Sequence, residues 1–228
     1  MAQTLIIGSV TERPPFRKRR FNYGRIALVM SIVTLATTSG WFFTATPVLD
    51  LGVSSNMLKS GLYQRWAQGE VVVMVRHAER CDRSGNTCLG SADGITKIGS
   101  NAAVAVGFGL QRLGLENTRM LASPLTRTRQ TADFIAGRAV PTQNWLSECD
   151  NGFKGAVMAN KNLKENLVLI THSGCIDQFE RKMGVHASDR SSEYTQAFFV
   201  QVDGTHAPKI LGSLDAAQWK NLTIEQSN

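Results

Sequence analysis

The chain contains no C-x-x-C pair and no cysteine with a histidine at zinc-ligand spacing, which argues against a zinc site. It has no internal repeat and no low-complexity tract, so a solenoid or a disordered linker protein is excluded. Charged residues make up 19% and hydrophobic residues 43%, a balance of a globular protein with a real core. Excess charge is also scarce outside one short region. Of the net +7, the first 25 residues supply +5, from Arg13, Arg17, Lys18, Arg19, Arg20 and Arg25 against Glu12. The remaining 203 residues carry only +2, so the body is near neutral and a nucleic-acid partner is not implied.

The basic arm precedes a stretch that lacks charge altogether. Residues 26–49, "IALVMSIVTLATTSGWFFTATPVL", are 24 positions without a charged side chain. That length suffices to span a bilayer as a helix. Arg and Lys on its N-terminal side predict a cytoplasmic arm at 1–25 and export of residues 50–228. The nearest approach to a small-residue cleavage site is "TAT" at Thr44–Thr46, and the basic region is long. These features favour an uncleaved inner-membrane anchor and leave a cleaved signal as the alternative, with a periplasmic domain in both cases. The cysteines fit export: Cys81, Cys88, Cys149 and Cys175 are even in number. Three pairings are open. Cys81 with Cys88 would close the loop "CDRSGNTC", which would leave Cys149 with Cys175.

Within 50–228 the pattern alternates between strand and helix. "LGVSSNMLKSGLYQRWAQGE" reads as one helix capped by Ser54 or Ser55, with Leu58, Leu62 and Trp66 on one face and Gly69 at its end. "EVVVMV" and "NLVLIT" read as strands buried on both faces, as in a parallel sheet, and "TRMLAS" as a shorter one. "GITKIGSNAAVAVGFGLQRLG", "PLTRTRQTADFIAG" and "GCIDQFERKMG" have helical period, and "YTQAFFVQV" with "PKILGSL" reads as a closing hairpin. The glycines of "GFGLQRLG" lie inside a helix and follow no strand, so they predict close packing, not a dinucleotide loop. His186 and His206 fall in loop contexts without evident partners. Alternation of this kind predicts a layered α/β sheet, whose ligands bind at the carboxyl ends of the strands.

Three of those ends carry costly residues: Arg76-His77, Ser123 leading to Arg127, and His172. Arginine makes paired bonds to phosphate oxygens and never loses its charge. Histidine can attack phosphorus when its second nitrogen is held by a hydrogen bond. An alkoxide leaving group needs a proton from an acid. A phosphoryl group is the anion that suits this set, and no metal or cofactor is called for.

"VRHAE", "SPLTRTRQTA" and "ITHSG", in that order, resemble the histidine phosphatase superfamily, whose fold is phosphoglycerate-mutase-like. The resemblance covers about residues 70–215 and implies a three-layer sandwich, a mostly parallel central sheet with helices on both faces. It implies a phosphomonoesterase with His77 as the nucleophile that becomes phosphohistidine, Arg76 and Arg127 as phosphate ligands, and His172 completing the pocket. The family's acid would fall at Glu148 in "ECDNG", with Asp150 and Glu79 as alternatives. Arg129 reads as an exposed helix residue. The stretch "RHAERCDRSGNTCL" further resembles an exported branch that includes lipopolysaccharide core heptose(II)-phosphate phosphatases of Gram-negative bacteria. That implies a phosphorylated sugar or lipopolysaccharide core as substrate, with Arg80 and Arg83 as contacts or as solvated loop charges. Other small sugar phosphates or nucleotides, and an inactive phosphate-binding envelope protein, are the competing functions.

Overall fold

In the computed structural model, residues 46–190 and 192–219 are described, together with the single position 28. The basic arm and nearly all of the charge-free segment lie outside them. Among the described residues no helix is long and apolar enough to cross a membrane. The described residues 46–190 and 192–219, which carry the strands, belong to one compact unit. Its first described residues already pack: Val48 and Leu49 lie against the core, and the Thr46 amide donates to the carbonyl of Gly184 at 3.2 Å.

The elements are α1 (Ser54–Ser60), α2 (Leu62–Ala67), β1 (Val71–Arg76), α3 (Lys97–Leu113), β2 (Thr118–Ala122) and α4 (Thr126–Ala136). They continue with α5 (Phe153–Asn160), β3 (Asn166–Thr171), α6 (Ser173–Lys182), β4 (Ala197–Gln201) and β5 (Lys209–Leu214). The five strands form one sheet in the order β2-β3-β1-β4-β5. Side-chain alternation along β1 explains the layers. Val71, Val73 and Val75 face a core with Leu62, Trp66, Val106, Leu110 and Ile135, from α2, α3 and α4. Val72 and Met74 face the opposite core with Phe153, Val157, Ile176 and Phe179, from α5 and α6. Each fully buried valine of this strand contributes roughly 1.5–3 kcal/mol.

Three expectations change. The sheet is evenly mixed instead of mostly parallel: β1–β3 and β2–β3 are parallel, whereas β1–β4 and β4–β5 are antiparallel. The short connection between β4 and β5 permits only an antiparallel pair, since a parallel return needs a long crossover. The single N-terminal helix is two, because Gly61 takes a left-handed φ of 71° that stops α1 and starts α2. Leu58 consequently points to solvent and Met57 takes its place in the core. The cap of α1 is Val53, without a side-chain hydrogen bond, so neither serine serves. The packing glycine holds: a Cβ on Gly107 would lie 2.3 Å from the Ile135 carbonyl oxygen, so α3 and α4 could not approach as they do.

Both disulfides form in the anticipated pairing, Cys81–Cys88 and Cys149–Cys175. The two loop histidines do have partners. His206 Nδ1 pairs with Asp203 at 2.8 Å, and His186 Nδ1 contacts Ser188 Oγ at 2.9 Å.

Candidate active site

The strand ends of β1 and β3 lie side by side, and this juxtaposition builds the site. The His77 amide donates to the Thr171 carbonyl at 2.9 Å, which sets His77 and His172 next to each other. Their ring centroids are 5.4 Å apart. Helix α4 is fastened to the same corner through Thr131, whose Oγ1 accepts from the Ala78 amide at 2.9 Å and donates to the Arg127 carbonyl at 2.7 Å. Arg76, His77, Arg127 and His172 therefore converge, although 96 positions separate the first from the last.

Hydrogen bonding fixes the state of each ring. His77 Nδ1 lies 2.9 Å from the Ala78 carbonyl oxygen, which can only accept. The proton is thus on Nδ1 and the lone pair on Nε2. Burial pushes the His77 pKa down to about 3, helped by the cations around it and opposed by the bond to Ala78. His172 Nε2 lies 2.9 Å from Ser123 Oγ, and its Nδ1 lies 3.4 Å from Arg127 Nη2. Burial, then Arg127 and Arg80, push the His172 pKa down to about 4. Both imidazoles are neutral at pH 7 in a pocket that already holds guanidinium charge.

The guanidiniums are only partly satisfied. Arg76 Nη1 donates to the Ser192 carbonyl at 2.5 Å, while the buried Nε of Arg76 and the buried Nε of Arg127 have no hydrogen-bond partner. Two unpaired N–H groups beside two neutral histidines are unfavourable without an anion. Burial lowers the Arg127 pKa, and Arg80 acts in the same direction.

The remaining candidates separate by their surroundings. Arg80 makes a two-pronged pair with Asp82, through Nε to Oδ1 at 2.7 Å and through Nη2 to Oδ2, so its charge is largely taken. Arg83 is exposed in the Cys81–Arg83 3₁₀ turn. Arg129 is exposed, as anticipated. Glu79 does not suit an acid: hydrogen bonds from Thr96, Asn86 and Ser84 hold its carboxyl below the usual range. Its work is to pin the loop after β1, with Thr96 Oγ1 donating at 2.6 Å while also capping α3. Asp150 Oδ1 accepts from the Gly152 amide at 2.7 Å and shapes a turn. Glu148 is exposed, beside Cys149 of the bridge to α6. Its loop is fastened to the β3–α6 corner by Thr171 Oγ1 to the Leu146 carbonyl at 2.7 Å and Gln178 to Asn151 at 2.6 Å. Among the described residues no group of three or more His, Cys, Asp or Glu is placed to hold a metal ion.

Two contributors escaped the sequence reading. Ser123 is marked there only as a strand end, yet it holds His172. Tyr194 had no signal at all: its ring sits 4.0 Å from the Arg76 guanidinium carbon and 5.7 Å, centre to centre, from the His77 ring.

Comparison with known proteins gives the family. The profile of the Histidine phosphatase superfamily (branch 1) matches residues 72–158. A Salmonella typhi protein named lipopolysaccharide core heptose(II)-phosphate phosphatase is 33% identical over 172 residues, which cover 74% of this chain and 81% of that protein. This chain belongs to the histidine phosphatase superfamily. It is a phosphoric monoester hydrolase by class. The same-named protein of Salmonella typhimurium is 37% identical over 122 residues, 52% of this chain and 60% of that one. In fold, this phosphatase is similar to the protein histidine phosphatase SixA complexed with tungstate. The TM-score is 0.53 at 16% identity, covering 64% of this chain and 97% of SixA. A phosphoserine phosphatase of Entamoeba histolytica in complex with 3-phosphoglyceric acid gives a TM-score of 0.50 at 15% identity. That match covers 65% of this chain and 98% of the other.

Proposed function

We propose that this phosphatase is an exported enzyme that removes phosphate from lipopolysaccharide core heptose phosphate through a phosphohistidine at His77. The observation that carries the chemistry is the Nδ1 bond to the Ala78 carbonyl, which leaves Nε2 as a free lone pair beside unpaired Arg76 and Arg127 donors. Nε2 attacks phosphorus, the N–P bond forms, and the P–O bond to the sugar breaks. Arg76 and Arg127 take the charge on the equatorial oxygens. In the ligand-free site Arg127 can only donate to His172 Nδ1, so the ring proton sits on Nε2 against Ser123. When Arg127 turns to the phosphate, Ser123 donates to Nε2 and His172 offers Nδ1–H to the phosphoryl group. Glu148 protonates the departing alkoxide and then takes a proton from the water that cleaves the N–P bond.

The substrate reading rests on relatives 33–37% identical that bear that name. Exposed Arg83 at the loop tip suits a substrate with further anionic groups. Export is supported by the disulfides, which persist in oxidising compartments. The test is a panel of phosphorylated core oligosaccharide, simple sugar phosphates and nucleotides, assayed with chelator present. The core oligosaccharide should show the highest kcat/KM. Equal or better turnover of small esters would replace the substrate, and loss of turnover in chelator would replace the mechanism.

A further inference from the structure

Arg76 is held in an unusual way. Among the described residues no carboxylate pairs with it, whereas Arg80, four positions on, is taken by Asp82. Beyond its strand pairing with Thr171 of β3, the contacts that hold Arg76 come from one knuckle, residues 192–196. The Arg76 amide donates to the Gln196 carbonyl at 3.0 Å, and its own carbonyl accepts from the Thr195 amide at 3.1 Å. Its Nη1 donates to the Ser192 carbonyl, and the face of the guanidinium lies on the Tyr194 ring. The knuckle is tightened by Gln196 N–H to the Glu193 carbonyl and Glu193 N–H to Gln196 Oε1. Thr195 adopts a left-handed φ of 59°, which a β-branched residue takes only when its surroundings impose it.

We infer that Tyr194 is a positioning residue that holds Arg76 by its face and so keeps that guanidinium oriented and free of a carboxylate for a phosphoryl group. The inference rests on the phosphatase reading of the site. Its physical basis is a difference between two ways of holding an arginine. A carboxylate occupies the N–H edge and cancels the charge, so an incoming phosphate must displace it. An aromatic ring attracts the cation through its π face and leaves the edge free. The unpartnered buried Nε of Arg76 is that free edge. The ring also lies alongside His77, so one side chain keeps the nucleophile and the phosphate ligand in register.

The test is orthophosphate binding to the full chain, by equilibrium dialysis with radiolabelled phosphate, in four proteins: wild type, Tyr194→Phe, Tyr194→Leu and Arg76→Ala. The double variant Arg76→Ala/Tyr194→Leu completes a cycle. Thermal melts establish that each variant is folded. Tyr194→Phe should bind within about twofold of wild type, and Tyr194→Leu about tenfold more weakly. In the Arg76→Ala background the leucine substitution should cost nothing further. A Tyr194→Leu protein that binds as wild type does overturns the inference, as does an equal loss in the Arg76→Ala background. A phenylalanine variant as weak as leucine also overturns it, since the π face would not be the cause. Wild type that fails to bind orthophosphate at all sinks the phosphatase reading of the pocket instead.

Discussion

Nδ1 of His77 donates to the carbonyl oxygen of Ala78 across 2.9 Å, one residue along the same chain. Because the acceptor belongs to the backbone, no change of pH or of neighbouring side chain removes it. The attacking atom is therefore Nε2, and the phosphoenzyme should carry phosphate on that nitrogen only. Antibodies selective for the two phosphohistidine isomers distinguish the outcomes after acid-free quenching. Signal for the Nδ1 isomer would contradict the tautomer.

Ser123 fixes His172 from behind, at 2.9 Å from Nε2. Its hydroxyl can turn to donate when the ring must present its other N–H to a phosphoryl oxygen. Ser123→Ala should lower kcat by about tenfold, the cost of one misdirected hydrogen bond of roughly 1–1.5 kcal/mol, with little change in Tm. An unchanged kcat would remove Ser123 from the machinery.

The site was legible in the sequence where chemistry is written at strand ends. Arg76, His77 and His172 each follow a run of buried residues, and Arg127 is the second residue of a helix that starts just after Pro124. Tyr194 was not legible, because its role depends on the knuckle at 192–196 folding back on Arg76, and no periodic pattern encodes that contact. Ser123 was visible only as a boundary, since its partner lies 49 positions away. The mixed sheet was hidden for a similar reason. A doubly buried strand such as β1 reads the same whether its neighbour runs with it or against it. Gly61 was readable in principle, but the helical period on both sides of it masked the break.

Acid conditions should act on folding through the histidines. Unfolded His77 would protonate near 6.5, whereas in the folded protein it stays neutral until about 3. The unfolded chain thus binds more protons throughout that window, and stability falls as pH drops from about 6.5 towards 3. In ligand-free protein, ¹⁵N spectra of the His77 ring should show no titration between pH 5 and 8. A midpoint near 6.5 would contradict the buried neutral state.

Glu180 on α6 behaves in the opposite sense. Burial, then Asp177, raise its pKa from 4.5 to about 8 against the pull of Arg190, and its buried Oε2 has no hydrogen-bond partner. From pH 4.5 to 8 the folded protein retains a proton that the unfolded chain releases. The contribution is favourable below 4.5 and is lost as pH rises through 8. Glu180→Gln should therefore raise Tm clearly at pH 8 and hardly at pH 4.5, by paired melts. A lower Tm at pH 8 would mean that the carboxylate is charged and useful.

The two disulfides should differ in weight. Cys149–Cys175 closes a span of 26 residues and Cys81–Cys88 only 7. Loop-closure entropy makes the longer bridge the more stabilising, within the usual range of about 2–4 kcal/mol. Replacing Cys149 and Cys175 together by serine should lower Tm more than the same change at Cys81 and Cys88. The reverse order would show that the short loop around Arg80 and Arg83 matters to the whole fold.

In the proposed mechanism His77 carries the phosphoryl group. The direct measurement is rapid-quench labelling of wild type and His77→Ala with ³²P-labelled substrate, in the presence of EDTA, followed by acid and alkali stability tests. Wild type should form an acid-labile, alkali-stable phosphoenzyme, and His77→Ala should lose both label and turnover, by at least about 10³-fold. Turnover that persists in the variant, or label that survives acid, would rule out a phosphohistidine at His77.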